Sequence, residues 1–474
     1  MSAATPATGQ DRPNPLALVG WVVFVALLVY AVFVGGGYTG TLMGEFRFAS
    51  LGLIAAGLVA WAVLAVLRPA WRPRSAIWPV LVLPLIALII ASIASDNPRL
   101  GAEYVLWATL LVALYVLLAR IMSFEFARQR IGGVAAILAF IVSGAYLLQS
   151  LSLWLEYWEL LGSFTAPMLR PAYSGLPFGA PPAVASVTVL LTVVAFIGLG
   201  FEGRARRVVL LALLVLAAAA VFVTGGRTAW LAGAFAIVSV SAVFVLRHRS
   251  VMGSAASWTR EALQHRRWQL VAIGLLLLVV LGAIIFAPAI ATRLDVSSDG
   301  GRTVYLATAM RMFEDSPLTG QGPGTWAAQR MAFTEPGERD IFVSHTHNTY
   351  SQTLAELGLL GIGAGLVAVA VLLWLILDGL RDVTAERRRY AYGALFVLLY
   401  MSVYALLDSY VNFPLAFVLV ALPFALLDGT TRRAIGDRLL GSSALRAVGA
   451  VALFVVAFVA VLLLFRVEQI ASDN

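Results

Sequence analysis

Apolar runs of about 20 residues alternate along the chain with polar stretches. A helix of that length crosses a hydrocarbon layer about 30 Å thick. The pattern therefore predicts an all-α fold, namely a polytopic integral membrane helical bundle of about 12–13 transmembrane helices. The apolar segments fall at 16–34, 48–67, 76–95, 103–119, 131–150, 183–200, 208–223, 229–246, 269–287, 349–377, 390–407, 413–427 and 447–465.

One polar stretch, residues 288–348 before the tenth apolar segment, is far longer than the others. Long structured loops carry function more often than short connections do, so we expect the chemistry there. The predicted organisation is a cytoplasmic N-terminal tail at 1–15, transmembrane helices one to nine at 16–287, a large outer catalytic loop at 288–348, transmembrane helices ten to thirteen at 349–465, and a tail at 466–474.

Charge is scarce in this chain, since 61% of its residues are hydrophobic and 12% are charged. Soluble proteins carry about 25% charged residues, so the composition excludes a soluble fold. All 33 basic residues are arginine, and 23 of them fall in alternate connections, beginning with the N-terminal stretch. By the positive-inside rule these connections face the cytoplasm and the 288–348 loop faces outward. The arginines thus orient the chain in a lipid bilayer. We therefore attribute the excess of basic residues to the membrane and predict no nucleic-acid partner.

Two of the four histidines, His345 and His347, lie immediately before the tenth segment. A neutral imidazole is suited to take a proton from a hydroxyl group near pH 7. The same position also suits an interfacial histidine that only caps a helix. A His-X-His pair occurs in metal sites too, but no Asp, Glu or Cys lies at ligand spacing in the sequence. We therefore predict neither a metal nor a cofactor.

A Gly-Gly-Arg-Thr sequence occurs twice, at 225–228 and at 300–303, each time at the predicted outer start of a helix. Arg227 and Arg302 there combine a fork of donors with the amides of a helix N-terminus. That combination is suited to bind a phosphate or a diphosphate. Arg227 lies near membrane depth, where an unpaired charge is costly. The alternative for Arg227 is simple snorkelling to the interface.

Within the long loop, residues 302–314 have helical spacing. Leu306, Met310 and Phe313 share one face, so we expect an amphipathic helix there. The Asp-Ser-Pro sequence that follows is predicted to end the helix. A glycine-rich turn at 320–324 comes next.

A carboxylate, Glu356, falls within the tenth apolar segment, with Gln352 one turn earlier on the same face. Acidic side chains at membrane depth face a partner or a cavity, because an isolated charge there is costly. We expect Glu356 either to pair with an arginine such as Arg227 or Arg302, or to hold its helix in place.

His347 and Asn348 are followed by nine residues and then by Gly-Leu-Leu-Gly at 358–361. This spacing resembles the His-Asn-X9-Gly-X-X-Gly signature of the O-antigen ligase and polymerase family. The sequence at 315–324 resembles the run that precedes the long periplasmic loop of that family. The resemblance covers roughly residues 205–425.

The resemblance implies a GT-C-like glycosyltransferase in the bacterial inner (cytoplasmic) membrane, with its active site facing the periplasm or exterior. It implies a glycan donor linked to undecaprenyl diphosphate, a glycan or lipid A core as acceptor, and metal-independent transfer with inversion. Arg227 and Arg302, which look like the family's outward arginines, would clamp the diphosphate, and His347 would deprotonate the acceptor. Substrate-binding roles are predicted for Asn348, Tyr350, His345, Arg311 and Arg170.

Two alternatives remain at this stage. A ligase transfers a finished polysaccharide, whereas a polymerase joins repeat units on the carrier lipid, and the spacing of the signature favours the ligase. A transporter would place charged residues and broken helices at the bilayer midplane in both halves of the chain. In this chain the polar residues cluster at the outer face, which favours an enzyme.

Overall fold

A computed structural model describes residues 15–35, 44–161, 181–247, 300–335, 345–408 and 417–431. The apolar segments predicted at 269–287 and 447–465 lie outside the described residues, and so does Arg170. Within the described ranges all regular structure is helical, without strands. The predicted all-α class is thereby confirmed.

Thirteen α-helices make up the described part of the chain. They are α1 (Pro15–Tyr30), α2 (Gly44–Leu67), α3 (Trp78–Ala94), α4 (Pro98–Met122), α5 (Glu125–Leu161), α6 (Pro181–Leu199), α7 (Arg204–Val223), α8 (Arg227–Arg247), α9 (Gly300–Asp315), α10 (Trp326–Phe333), α11 (Thr349–Leu380), α12 (Ala385–Leu407) and α13 (Phe417–Gly429). Each apolar segment predicted within the described ranges coincides with one of these helices.

Six of the helices, α4, α5, α7, α8, α11 and α12, are long and apolar enough to cross a membrane. Large apolar side chains point away from the bundle, among them Leu211, Val215 and Val238, which are 63%, 63% and 68% exposed. A surface of this kind is unfavourable in water but is solvated by lipid hydrocarbon. The chain is therefore a multi-pass membrane protein.

The helices that position the site run antiparallel. α8 packs along α12, and Phe244 near the end of α8 contacts Tyr392 near the start of α12, with ring centroids 5.6 Å apart. α11 and α12 pack against each other as a hairpin joined at 381–384. The start of α8, the start of α11 and the end of α12 therefore lie at one end of the bundle, which we call the site end.

Polar contacts between helices fasten the opposite end of the bundle. Arg387 at the start of α12 donates to Asp378 near the end of α11, at 2.6 Å. Asp428 near the end of α13 is buried and accepts hydrogen bonds from Ser75 Oγ at 2.6 Å and from Tyr115 OH at 3.1 Å. A buried carboxylate is costly without such donors, so these bonds hold α13 in place against α4 and the segment before α3.

The helix predicted in the long loop is present as α9, and it ends at Asp315 as expected. The face that carries Leu306 and Met310 is not the buried one, because these side chains are 48% and 37% exposed. The neighbouring stripe is buried instead, against α10 and α11. That stripe consists of Tyr305, Ala309 and Met312. Both stripes have helical spacing, so only the tertiary partner decides which one is buried.

Candidate active site

Two imidazoles and a carboxylate meet where α11 begins and α12 ends. His347 Nδ1 lies 3.2 Å from Asp408 Oδ1, within hydrogen-bonding distance. His345 Nε2 lies 3.7 Å from the same oxygen, and the centroids of the two imidazole rings are 4.2 Å apart. We call these three residues the His-His-Asp cluster. Its side chains are 20–35% exposed, so small molecules can reach them.

The backbone presents His347 in an unusual conformation. Its φ of 54° is left-handed, and among the described residues no other non-glycine has a positive φ. Such strain costs of order 1–3 kcal/mol and clusters at functional sites. Asn348 caps α11, since its Oδ1 accepts hydrogen bonds from the amides of Tyr350 and Ser351 at 3.0 and 3.1 Å. The helix cap is therefore Asn348 and not the preceding histidine.

Two further hydrogen bonds fasten the start of α11 to the end of α12. Thr349 Oγ1 donates to the backbone carbonyl of Asp408 at 3.3 Å. Tyr350 OH donates to the backbone carbonyl of Ser402 at 3.1 Å. The relative position of His347 and Asp408 is thus maintained by contacts on both helices.

The carboxylate of Asp408 selects the tautomer of His347. An ionised carboxylate only accepts hydrogen bonds, so the proton of a neutral His347 lies on Nδ1. The free lone pair is then on Nε2, which is the arrangement of a general base held by a carboxylate. The cluster can therefore take a proton from a hydroxyl group that approaches Nε2.

α9 brings Arg302 toward the cluster. The ring of Tyr305 stacks on that of His347, with centroids 6.2 Å apart and 29° between the planes. Arg302 precedes Tyr305 by three residues, so it lies on the same face of α9, about 5–6 Å away. As predicted, Arg302 is at the start of a helix, where it is the third residue of α9.

Arg227 is the first residue of α8, as predicted, and it follows a turn of three residues after α7. Arg227 lies 17 residues from Phe244 along α8, and Asp408 lies 16 residues from Tyr392 along α12. At 1.5 Å per residue these separations are about 24–26 Å. Because the two helices are antiparallel and packed, Arg227 and Asp408 lie at the same level of the site end.

α11 is interrupted at Gly358, whose φ and ψ are 58° and −152°. This conformation is essentially restricted to glycine. Because the helix is interrupted, backbone groups next to Gly358 lack hydrogen-bond partners within the helix. Backbone groups of residues 317–322 pair with them instead. The Leu359 amide donates to the Pro317 carbonyl at 2.9 Å, and three similar bonds join the two segments. We call this pairing the helix joint, and it explains the first glycine of the Gly-X-X-Gly sequence.

Glu356 reinforces the helix joint. Its buried carboxylate accepts hydrogen bonds from the amides of Gly324 and Trp326, at 3.1 and 3.0 Å, and from the Gln352 side chain at 3.3 Å. These groups, and no arginine, are its hydrogen-bond partners in the part of the chain that the structure describes. Of the two roles expected for Glu356, the structure shows the second, in which the carboxylate holds its helix in place. Pairing with Arg227 or Arg302 is not observed.

The remaining predicted substrate-binding residues are distributed unevenly around the cluster. Asn348 and Tyr350 border it through the contacts described above. Arg311 lies nine residues after Arg302, so it is on the opposite side of α9. There it pairs with Glu335 at 2.6 Å, away from the imidazoles.

Sequence reasoning did not assign two of the residues at the site, Asp408 and Tyr305, to it. Asp408 lies 61 residues after His347, beyond the local spacing in which a partner was sought. Asp408 directly follows the apolar segment at 390–407, and the predicted orientation of that segment places Asp408 on the same outer side of the membrane as His347. Tyr305, which stacks on the imidazole, was hidden within the second Gly-Gly-Arg-Thr region.

In the comparison with known families, residues 211–364 match the family model described as O-antigen ligase. The match confirms the resemblance seen in the sequence, and its range includes Arg227, Arg302 and His347. No curated protein matches the chain significantly. The chain thus carries a segment that matches the O-antigen ligase family model, and this match supports an activity of the O-antigen ligase and polymerase type in general.

Proposed function

We propose that this chain, with its O-antigen ligase segment, is a membrane glycosyltransferase that transfers a glycan from an undecaprenyl-diphosphate-linked donor. The acceptor is a hydroxyl group of a glycan or of a lipid A core, and the activity is that of an O-antigen ligase, which the spacing of the His-Asn-X9-Gly-X-X-Gly signature favours over a polymerase. The observation that carries the proposal is the hydrogen bond between His347 Nδ1 and Asp408. This hydrogen bond supports the assignment of His347 as a general base, at the same end of the bundle as Arg227.

The reaction forms one bond and breaks one bond at the anomeric carbon of the transferred sugar. The acceptor oxygen attacks this carbon while its proton passes to His347 Nε2. The bond between the anomeric carbon and the diphosphate oxygen breaks, and the bonding electrons leave with the diphosphate. Attack opposite the leaving group inverts the configuration. The imidazolium then returns its proton to solvent.

The two arginines stabilise the leaving group. Arg227 and Arg302 each offer a planar fork of donors that matches phosphate oxygens. Because a diphosphate leaves as a stable anion, these cations make a general acid or a metal unnecessary. Charge stabilisation of this kind is worth about 10²–10³ in rate for each donor group removed.

The proposed location is the bacterial inner membrane, with the site facing the periplasm or exterior. A lipid-linked donor remains anchored in the bilayer, so its diphosphate reacts at the membrane surface. Arginine-rich connections alternate with the predicted outer ones, and the positive-inside rule puts the former in the cytoplasm. The His-His-Asp cluster then lies on the outer side.

Purified full-length protein in lipid nanodiscs provides the test. We expect a glycan linked to undecaprenyl diphosphate to be transferred to the acceptor in the presence of EDTA, with one undecaprenyl diphosphate released per transfer. Donor that remains intact, or transfer that requires an added divalent metal, contradicts the proposal. Movement of intact donor across a bilayer would indicate a transporter instead.

A further inference from the structure

We propose that the His-His-Asp cluster is also a binding site for Zn²⁺ or a similar late first-row divalent cation, and that the bound cation inhibits the enzyme. His345, His347 and Asp408 each offer one ligand atom, and the three atoms lie within 4.8 Å of one another. The sequence contains the His-X-His pair but no carboxylate near it. The fold supplies that carboxylate from the end of α12.

The distances suit a tetrahedral ion. Bonds of about 2.0–2.2 Å to zinc separate neighbouring ligand atoms by about 3.3–3.6 Å. Asp408 Oδ1 lies 3.2 Å from His347 Nδ1 and 3.7 Å from His345 Nε2, which are close to those values. The two ring nitrogens lie within 4.8 Å of each other. Three protein ligands leave a fourth position for water.

The ligand set also selects the class of metal. Two imidazole nitrogens and one carboxylate suit Zn²⁺, Cu²⁺ and Ni²⁺. Mg²⁺ and Ca²⁺ require mostly oxygen ligands, so they fit this cluster poorly. The partial exposure of the three side chains, between 20% and 35%, gives a hydrated ion access to the site.

Occupancy by the cation removes the base. In the metal-free protein the imidazole proton of His347 lies on Nδ1, facing Asp408, and the lone pair is on Nε2. A cation bound at Nδ1 replaces the proton on that nitrogen, so the single proton of the neutral ring moves to Nε2. Nε2–H cannot accept the proton of the acceptor hydroxyl. This inhibition rests on the proposed function, whereas metal binding itself does not.

Titration of the full-length protein in nanodiscs with Co²⁺ measures metal binding without a transfer assay, because tetrahedral Co²⁺ absorbs visible light. We expect one Co²⁺ per chain, displaced by Zn²⁺. His345→Ala and Asp408→Asn should each weaken Co²⁺ binding by at least about tenfold. A control that removes the other two histidines, His248→Ala with His265→Ala, should bind as the unaltered protein does. Undiminished binding in both site variants, or no bound Co²⁺ in the unaltered protein, overturns the site.

Glycan transfer measures the inhibitory effect separately. Zn²⁺ at the concentration that displaces Co²⁺ should lower transfer at least tenfold, and EDTA should restore it. Full transfer with the site filled would overturn the inhibitory role. Protein that binds Co²⁺ but transfers no glycan under any condition would support the site and contradict the proposed function, so the two failures are distinguishable.

Discussion

At the scale of single residues, Asp408 controls which nitrogen of His347 carries the proton. In Asp408→Asn the side-chain amide can donate to Nδ1, which moves the imidazole proton to Nε2 and removes the base. We expect kcat to fall by about 10²–10⁴ while the KM for the donor changes little. Steady-state transfer in nanodiscs measures both constants. A variant with unchanged kcat would contradict the proposed tautomer.

Arg227 offers a second test at the same scale. Arg227→Lys retains the positive charge but loses the two-donor fork that grips a diphosphate. We expect transfer to fall at least tenfold, and by about 10²–10³ in Arg227→Ala. Arg247→Lys, at the last residue of the same helix, is the matched control and should transfer normally. Normal transfer by Arg227→Lys would indicate that Arg227 only snorkels to the interface.

At the scale of elements, the helix joint determines how α9 is held against α11. A Cβ on Gly358 would lie 2.6 Å from the Pro317 carbonyl oxygen and 2.7 Å from the Gly320 amide nitrogen. Gly358→Ala also carries the cost of a positive φ, of order 1–3 kcal/mol. We expect a lower unfolding temperature and a loss of transfer.

Gly363→Ala is the matched control for the helix joint. Gly363 lies in the same helix, and a Cβ there meets nothing within 4 Å. Its unfolding temperature, measured by tryptophan fluorescence in detergent, should equal that of the unaltered protein or exceed it slightly. Equal stability of Gly358→Ala and Gly363→Ala would refute the role of the joint.

The sequence was sufficient to locate the elements but not their contacts. Apolar length placed the helices, because a membrane imposes one length on each spanning segment. The buried face of α9 could not be predicted, since Leu306 and Tyr305 belong to two stripes of equal helical spacing. The partner of the Leu359 amide could not be predicted either, because the Pro317 carbonyl that accepts its hydrogen bond belongs to a distant part of the chain.

At the scale of the whole molecule, the acceptor distinguishes the proposed ligase from a polymerase. A ligase moves a completed polymer off the carrier lipid. Deletion of the gene should therefore leave polymer on undecaprenyl diphosphate and remove it from the cell-surface acceptor. Glycan analysis of the deletion strain and of a complemented strain measures both pools. Accumulation of single lipid-linked repeat units would indicate that a polymerase had been lost.

The candidate site depends on the arrangement of the whole bundle, and this explains how far the sequence could predict it. Arg227 and Arg302 were recognisable because charges are rare in so apolar a chain, whereas His347 was distinguished from His345 only by the spacing that resembles the family signature. Asp408 required knowledge that α11 and α12 form a hairpin whose open end is the site end. Helix pairing of this kind follows from packing, which apolar periodicity does not encode.

Removal of the imidazole at position 347 tests the proposed chemistry most directly. Purified His347→Ala, supplied with the undecaprenyl-diphosphate-linked donor and the acceptor in EDTA, should turn over about 10²–10⁴ times more slowly than the unaltered protein. Donor binding should be retained, and His265→Ala should turn over normally. Turnover by His347→Ala close to that of the unaltered protein would contradict the assignment of His347 as the base.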